Sequence, residues 1–426
     1  ASNNTALGYH ALQVNTTGAA NVAVGHTSLD ANTTGSYNVA VGGETLSDVT
    51  TGSFNTGVGD GAGANITTAS DNSAFGAGSL LTNTTGASNT AIGKNALRAN
   101  TTGGNNTAVG YESLLDNTTG AQNTSVGFRS LFNNTTASNN VAVGQDALYT
   151  NTTGANNVAL GHSALTANTT ASNNVAVGYS AGTAVTTGER NTVVGSLAGD
   201  ALTDADDNVA IGQTALGLDT LGSKSVAVGR AALATQNFTS ATDSYNTAVG
   251  FQAGEAVTTG VRNTLIGGLA GDALTDADFN VALGFGALST DTLGSKSVAI
   301  GSEALHSQNF TSATNAFNTA VGVNAGYAVS TGIQNTLIGG LAGDSITTGS
   351  NNVAFGYLSL SANTTASDNS AFGVNALSSN TTGTTNTALG RSTLRANTTA
   401  SHNTAVGYNS LTANTTGDRG VAVGKD

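Results

Sequence analysis

The sequence predicts an all-β chain, folded as a parallel β-solenoid of about 25 coils with a repeat period of 17. Three observations favour this fold. A glycine recurs at nearly every 17th position, the core of each repeat alternates small and large side chains, and proline is absent from the chain. A solenoid pairs nearly every backbone N–H with a neighbouring coil, and proline has no N–H to offer, so a chain without proline suits it.

The repeat is anchored on a glycine that occupies 25 positions, from Gly8 to Gly424. The interval between successive anchors is 17 in 22 cases and 21 in the other two. The consensus reads N-x-A-V-G-x-x-A-L-x-x-N-T-T-G-x-x. Helical repeats need about 33 residues or more, so this period is too short for them. We therefore predict one continuous array over residues 1–426, with no linker and no second domain.

Each repeat is expected to form one coil. The alternation in N-x-A-V-G is typical of a strand, and we also expect a short strand around A-L, before the N-T-T-G segment returns the chain. Successive coils should pair in parallel at about 4.8 Å, so the whole array predicts a rod roughly 115 Å long.

Stacked coils place identical side chains above one another. The asparagine four positions before the anchor is present in 22 of 25 copies and should form a structural ladder, for example through Asn106, Asn123, Asn140 and Asn157. Large apolar residues should stack into a core, and like charges cannot stack, which fits a charged content of only 9%. The small residues of the opposite strand face favour lateral association between chains; alternatively, they fit a narrow coil interior.

These motifs carry a resemblance. The N-x-A-V/I-G-x-x-A/S-L repeats resemble the head repeats of YadA-like trimeric autotransporter adhesins, and the form closed by N-T-T-G is similar to repeats of bacteriophage tail-fibre proteins. The resemblance covers Asn4 to Gly424. It implies a left-handed β-roll assembled as a homotrimeric rod at a cell or virion surface. The N-T-T-G return makes each coil here longer than the usual coil of these adhesins.

The sequence also contains a longer duplication, in which each copy spans several of the short repeats. Residues 179–250 and 251–322 align at a spacing of 72, and each block contains one coil lengthened by an insertion, within Ala234–Thr242 and His306–Thr314. Insertions in solenoids form loops that often belong to the binding face. Asn237, Phe238, Asn309 and Phe310 are therefore candidate surface contacts. In the alternative interpretation, each phenylalanine folds back over its own loop.

No catalytic, cofactor-binding or metal-binding residues are predicted. The five histidines fall in four different columns of the repeat, and the acidic groups near Asp200 and Asp272 match no known calcium loop. These acidic groups are interpreted as solvated turns, and the N-T-T sequons as turn and ladder residues. A net charge of −13 argues against nucleic-acid binding, and no apolar run is long enough to insert into a membrane.

The resulting hypothesis is a non-enzymatic structural and adhesive fibre, located outside the cell on a surface appendage or a virion tail fibre. Its expected partners are further copies of the chain, side by side as a trimer and stacked end to end, and a cell-surface glycan or protein receptor. One alternative is a bacteriophage tail-fibre shaft that recognises its host. The other two are an ice-binding solenoid and a fibre-borne depolymerase acting on polysaccharide.

Overall fold

The computed structural model describes residues 1–426 and contains strands and turns but no helix. Twenty-five three-residue strands and four two-residue strands make up the β-structure. The chain forms two units, Ala1–Asn208 and Val209–Asp426, and each is a parallel β-solenoid. The all-β solenoid prediction is confirmed. The prediction of one uninterrupted array over residues 1–426 stays a prediction.

Twelve strands form the first unit, one in each coil. They are β1 (Thr5–Leu7), β2 (Val22–Val24), β3 (Val39–Val41), β4 (Thr56–Val58), β5 (Ser73–Phe75), β6 (Thr90–Ile92), β7 (Thr107–Val109), β8 (Thr124–Val126), β9 (Val141–Val143), β10 (Val158–Leu160), β11 (Val175–Val177) and β12 (Thr192–Val194).

Seventeen strands form the second unit. They are β13 (Val209–Ile211), β14 (Gly222–Ser223), β15 (Val226–Val228), β16 (Thr242–Asp243), β17 (Thr247–Val249), β18 (Thr264–Ile266), β19 (Val281–Leu283), β20 (Gly294–Ser295), β21 (Val298–Ile300), β22 (Thr314–Asn315), β23 (Thr319–Val321), β24 (Thr336–Ile338), β25 (Val353–Phe355), β26 (Ser370–Phe372), β27 (Thr387–Leu389), β28 (Thr404–Val406) and β29 (Val421–Val423).

The pairing register follows the sequence repeat. Strand β7 pairs in parallel with β8, with Thr107, Ala108 and Val109 opposite Thr124, Ser125 and Val126. The offset between paired residues is thus the repeat period itself. In the two longer coils the offset increases by the length of the insertion, as between Val226 and Thr247. There the extra residues add a short parallel ladder, β14 with β16 and β20 with β22.

The two faces of each strand are filled differently. The central residue, alanine in most coils, points inward and is buried, as Ala142 is in β9, whereas the flanking Val141 and Val143 are half-buried or exposed. The sequence-based expectation that the small-residue face is open to other chains is therefore wrong. Small residues face inward because so short a coil encloses little space, and the leucine four positions after the anchor fills most of it.

The A-L segment forms a turn, which corrects the prediction of a second short strand. The leucine of this segment takes a left-handed backbone conformation, with φ near +50° at Leu131, Leu148 and Leu165. A bulky residue rarely adopts this conformation. Here burial compensates for the strain, because these leucines are fully enclosed in the coil and supply its largest apolar side chains.

Seven coils replace that leucine by glycine, and each replaces the following ladder asparagine by an apolar residue. The pairs are Gly63 with Ile66, Gly182 with Val185, Gly199 with Leu202, Gly254 with Val257, Gly271 with Leu274, Gly326 with Val329 and Gly343 with Ile346. A Cβ on Gly271 would lie 2.8 Å from Cδ1 of Leu274. The apolar side chain therefore occupies the volume that leucine fills in other coils.

Candidate functional surfaces

The asparagines four positions before the anchor form a stacked column inside the coils. Asn106, Asn123, Asn140 and Asn157 are fully buried. Oδ1 of each of the first three accepts a hydrogen bond from the backbone N–H of the next, at 2.9 to 3.0 Å. The Nδ2 of Asn106 donates to the carbonyl oxygen of Gly120 at 2.9 Å. This column thus supplies hydrogen-bond partners to backbone N–H groups of the next coil and to carbonyl groups of its own coil. Its role is structural.

The asparagines of the N-T-T triplets form a second ladder, in which amide binds amide directly. Asn117 Nδ2 donates to Asn100 Oδ1 and Asn134 Nδ2 donates to Asn117 Oδ1, each at 2.8 Å. The same Nδ2 of Asn117 also donates to the carbonyl oxygen of Gly120 at 2.9 Å. These three side chains are fully buried, which removes the acceptor nitrogen of each sequon from solvent. The interior position is consistent with turn and ladder residues.

The two threonines of each triplet differ in what they offer to solvent. The hydroxyl of the first threonine donates to the carbonyl oxygen of its counterpart in the next coil, as Thr118 Oγ1 does to Thr135 O at 2.9 Å. The second threonine, Thr119 in the same coil, is exposed. Only one threonine column per triplet therefore presents hydroxyls outward, so the triplets do not form a two-column threonine surface for ordering ice.

The inserted loops bury their phenylalanines. Phe238 and Phe310 are each only 6% exposed, so neither ring is available as an exposed contact, and the expectation for these two side chains is corrected. Each ring covers its own loop by packing on a glycine: a Cβ on Gly222 would lie 2.7 Å from Cδ2 of Phe238. Asn237 is exposed and Asn309 is half-buried, so these two residues keep access to solvent.

Beneath each inserted loop lies a buried carboxylate that the sequence analysis missed. Asp219 is fully buried, and its Oδ1 accepts hydrogen bonds from the backbone N–H groups of Gly222 (3.0 Å) and Phe238 (3.2 Å). Its Oδ2 accepts from Gln236 Nε2 at 2.6 Å. Asp291 and Gln308 repeat the arrangement. The signal in the sequence was an interruption of the N-T-T asparagine column by aspartate and then glutamine. Because neutral donors surround both oxygens, the group holds the loop in place.

The acidic turns bind the preceding coil. Asp206 Oδ1 accepts from the backbone N–H of Glu189 at 2.7 Å, and Asp207 Oδ1 accepts from Arg190 Nε at 2.7 Å. Burial raises the pKa of Asp200, Asp272 and Asp344, the three aspartates of the L-A-G-D segments, and outweighs the opposite effect of their own backbone N–H groups. No group of three or more histidine, aspartate or glutamate side chains is arranged to hold a metal ion.

The outer face of the strands is uncharged and open, and one of its two columns is apolar in every coil. The residue three before each anchor is threonine, valine or serine, and the residue one before it is valine, leucine, isoleucine or phenylalanine, so this outer face carries no charge in any coil. Phe355 and Phe372 are adjacent on this face in β25 and β26, with ring centroids 6.4 Å apart and an angle of 24° between the ring planes. Parallel sheets are normally covered on both faces, and contiguous exposed apolar surface marks an interaction site.

The structure has no helix with the length and apolar character needed to cross a membrane. The chain matches no protein-family model, and none of the curated proteins compared with it is similar.

Proposed function

We propose that this chain is a non-enzymatic structural and adhesive fibre protein that associates side by side with copies of itself. The observation that carries the proposal is the uncharged outer face of the strands. Water-exposed apolar columns on a parallel sheet are unfavourable in a monomer, and a second copy of the same chain offers a matching uncharged column. The asparagine ladders and the turns described above form hydrogen bonds that hold neighbouring coils together, as expected of a structural protein.

The resemblance to YadA-like heads and to tail-fibre repeats supports finer parts of this proposal. In it, each coil winds as a left-handed β-roll and three chains assemble into one rod outside the cell, on an appendage or a virion tail fibre. The receptor is a cell-surface glycan or protein. The trimer also gives the phenylalanines on the outer face of β25 and β26 a partner surface, which a single chain lacks.

Native mass spectrometry of the purified chain, together with negative-stain electron microscopy, tests the proposal. We expect the mass of three chains and elongated particles. A chain that stays monomeric at micromolar concentration and forms discrete globules contradicts it. Two further assays address the alternatives: thermal hysteresis in ice-growth measurements would favour an ice-binding protein, and release of sugar from lipopolysaccharide or capsule would favour a depolymerase.

A further inference from the structure

A column of alternating cations and aromatic rings lies on the surface of the second unit. It consists of the residues five before six successive anchors, Lys224, Tyr245, Arg262, Phe279, Lys296 and Phe317, which we term the cation–aromatic ladder. The cationic groups of Lys224, Arg262 and Lys296 lie over the rings of the next coil, at 5.3, 5.2 and 5.3 Å from the ring centroids. The three rings are each 44–51% exposed. This strict alternation avoids stacking like charges.

The duplication removes the carboxylates that neutralise this column elsewhere. In the first block, Arg190 forms ion pairs with Glu189, Asp206 and Asp207, and Lys224 forms one with Asp243. At the equivalent positions of the second block, Glu189 is replaced by Val261, Asp207 by Phe279 and Asp243 by Asn315.

The two cations of the second block are consequently free of ion pairs. Asp278 is the one acidic residue retained from the Arg190 cluster, and its Oδ1 accepts from the backbone N–H of Val261 at 2.8 Å. Arg262 and Lys296 are exposed and form no ion pair. From Arg262 to Phe317 the column thus carries two cations without ion pairs and no carboxylate, in a chain with a net charge of −13.

The aromatic rings between the cations add no negative charge to the column. An aromatic ring has a negative face and a positive edge. Because a cation lies over a face of each ring, the negative face is compensated while the positive edge contributes to the exposed surface. From Arg262 to Phe317 the ladder therefore presents two cations and the positive edges of two rings, with no carboxylate in the column itself.

The spacing of the cations selects a class of polyanion. Cations recur every second coil, about 9.6 Å apart at the usual strand spacing. The phosphates of one DNA strand are about 3.4 Å apart, so the ladder would neutralise only about one phosphate in three. An extended polysaccharide with one anionic group per disaccharide has a charge spacing close to that of the ladder.

We propose that the cation–aromatic ladder binds a linear acidic polysaccharide with one carboxylate or sulfate per disaccharide, aligned with the stack of coils. Arg262 and Lys296 pair with successive anionic groups, and the rings of Phe279 and Phe317 contact the apolar C–H surfaces of the sugars between them. The proposal rests on the fibre function, since it names the chemical class of the surface to which the fibre attaches.

Binding of the full chain to hyaluronan, which carries one carboxylate per disaccharide, tests this assignment. We expect binding that weakens with salt, and none to uncharged dextran. Arg262→Gln combined with Lys296→Gln should weaken binding about tenfold or more, because both free cations are lost. Asn315→Asp, which restores the carboxylate found beside Lys224, should also weaken binding while leaving every cation and ring in place. Arg190→Gln, which removes a cation already paired with carboxylates, is the matched control and should not weaken it.

Three outcomes overturn the proposal: no binding to hyaluronan at low salt, equal binding by the double variant, or tighter binding to single-stranded poly(dT) than to hyaluronan. Native mass spectrometry of the double variant separates this question from the fibre function. A retained assembly mass with lost binding supports a polysaccharide site. Loss of the assembly shows instead that the ladder lies between chains. Absence of binding by a chain that still forms fibres rejects the ladder assignment alone.

Discussion

At the scale of single residues, the coils depend on glycine positions that leave no space for a Cβ atom. The anchor Gly267 has φ of +133°, and a Cβ there would lie 2.5 Å from the carbonyl oxygen of Gly284 in the next coil. The adjacent Gly268 has no such φ, and its nearest neighbour would be a ring atom of Phe285 at an ordinary 3.6 Å. Two neighbouring glycines therefore serve different purposes, although the sequence shows the same letter twice.

We predict that Gly267→Ala destabilises the protein and that Gly268→Ala does not. The backbone strain alone should cost about 1–3 kcal/mol, and the clash with a backbone oxygen adds to it. At Gly268, alanine should be neutral or slightly stabilising, because it restricts the unfolded chain. Urea denaturation followed by circular dichroism measures both. Equal midpoints for the two variants would contradict the assignment of the anchor.

We predict that Asn106→Ala destabilises the protein by about 1–3 kcal/mol. The change leaves the buried backbone N–H of Asn123 without its acceptor, which costs about that much, whereas the carbonyl of Gly120 keeps its hydrogen bond from Asn117 Nδ2. Thr119→Ala, at an exposed position of the same coil, is the control and should have little effect. Hydrogen exchange should speed up at Asn123 in the first variant only; unchanged protection there would show that water replaces the asparagine at no cost.

The half-buried aspartates of the L-A-G-D segments predict a pH effect of defined sign. Burial, with a further contribution from Glu255, raises the pKa of Asp272 above its ordinary value of 3.8, so folding favours the protonated carboxyl. The charged form therefore opposes folding at neutral pH, and this penalty disappears below the ordinary pKa. We expect Asp272→Asn to raise the melting temperature at pH 7 and to have no such effect at pH 3. The same substitution at the exposed Asp368 is the control. A gain that persists unchanged at pH 3 would exclude the titration of Asp272 as the cause.

At the scale of one coil, the interior is a small volume filled in two alternative ways. Twelve coils use a leucine four positions after the anchor together with a ladder asparagine, and seven coils use a glycine together with an apolar residue. In the coil of Gly182, a Cβ on that glycine would lie 3.1 Å from Leu165 Cδ2 and 3.5 Å from Val185 Cγ2.

A leucine and an apolar residue share a coil only as Leu46 with Val49, where Gly57 of the next strand leaves space: a Cβ on Gly57 would lie 3.0 Å from Leu46 Cγ. The strand after Gly182 has Val193 at the corresponding position, so a leucine at position 182 would overfill that coil.

We predict strong coupling between positions 182 and 185. Gly182→Leu alone should destabilise by overpacking against Val185, and Val185→Asn alone by leaving a cavity lined by an unfilled glycine. The double variant restores the common combination, and its new asparagine can continue the amide ladder from Asn168. We expect a coupling free energy of about 1–3 kcal/mol in the double-mutant cycle from denaturation midpoints. Additive effects would show that the two sites do not share one volume.

The coil also shows how far sequence alone reaches. The repeat period and the alternation in N-x-A-V-G predict the strands, their parallel register and their stacked columns. The alternation does not show which face of the strand points inward. Here the alanine face points inward because the interior of the coil is narrow and favours small side chains. The A-L segment has an apolar pattern like that of a strand, but Leu148 adopts a left-handed turn that only the packed coil makes favourable. The buried network joins Asp219 to Gln236 of the next coil, at the place where the coil is lengthened by the insertion. No single sequence motif contains both residues, so no motif indicates this network.

At the scale of the whole molecule, surface chemistry is divided between columns. The outer strand face is uncharged in all 25 coils, whereas the cations and carboxylates lie elsewhere on the coils, mostly in the turns. This separation allows one surface to be uncharged and repetitive while another varies from coil to coil. In the proposed assembly, association through the uncharged face would leave the turns, including the cation–aromatic ladder, available for other contacts.

We predict that charge on the outer strand face prevents assembly without unfolding the coils. Phe355→Glu combined with Phe372→Glu places two carboxylates at exposed positions of β25 and β26, where burial against another chain would cost several kcal/mol per unpaired charge. The control is Thr365→Glu combined with Thr382→Glu, which adds the same charge at exposed turn positions of the same two coils. Native mass spectrometry should show monomers for the first variant and the assembled mass for the second, with equal β-sheet signals in circular dichroism. If both variants assemble, the chains associate through a different surface; if both fail, added charge rather than the strand face controls assembly.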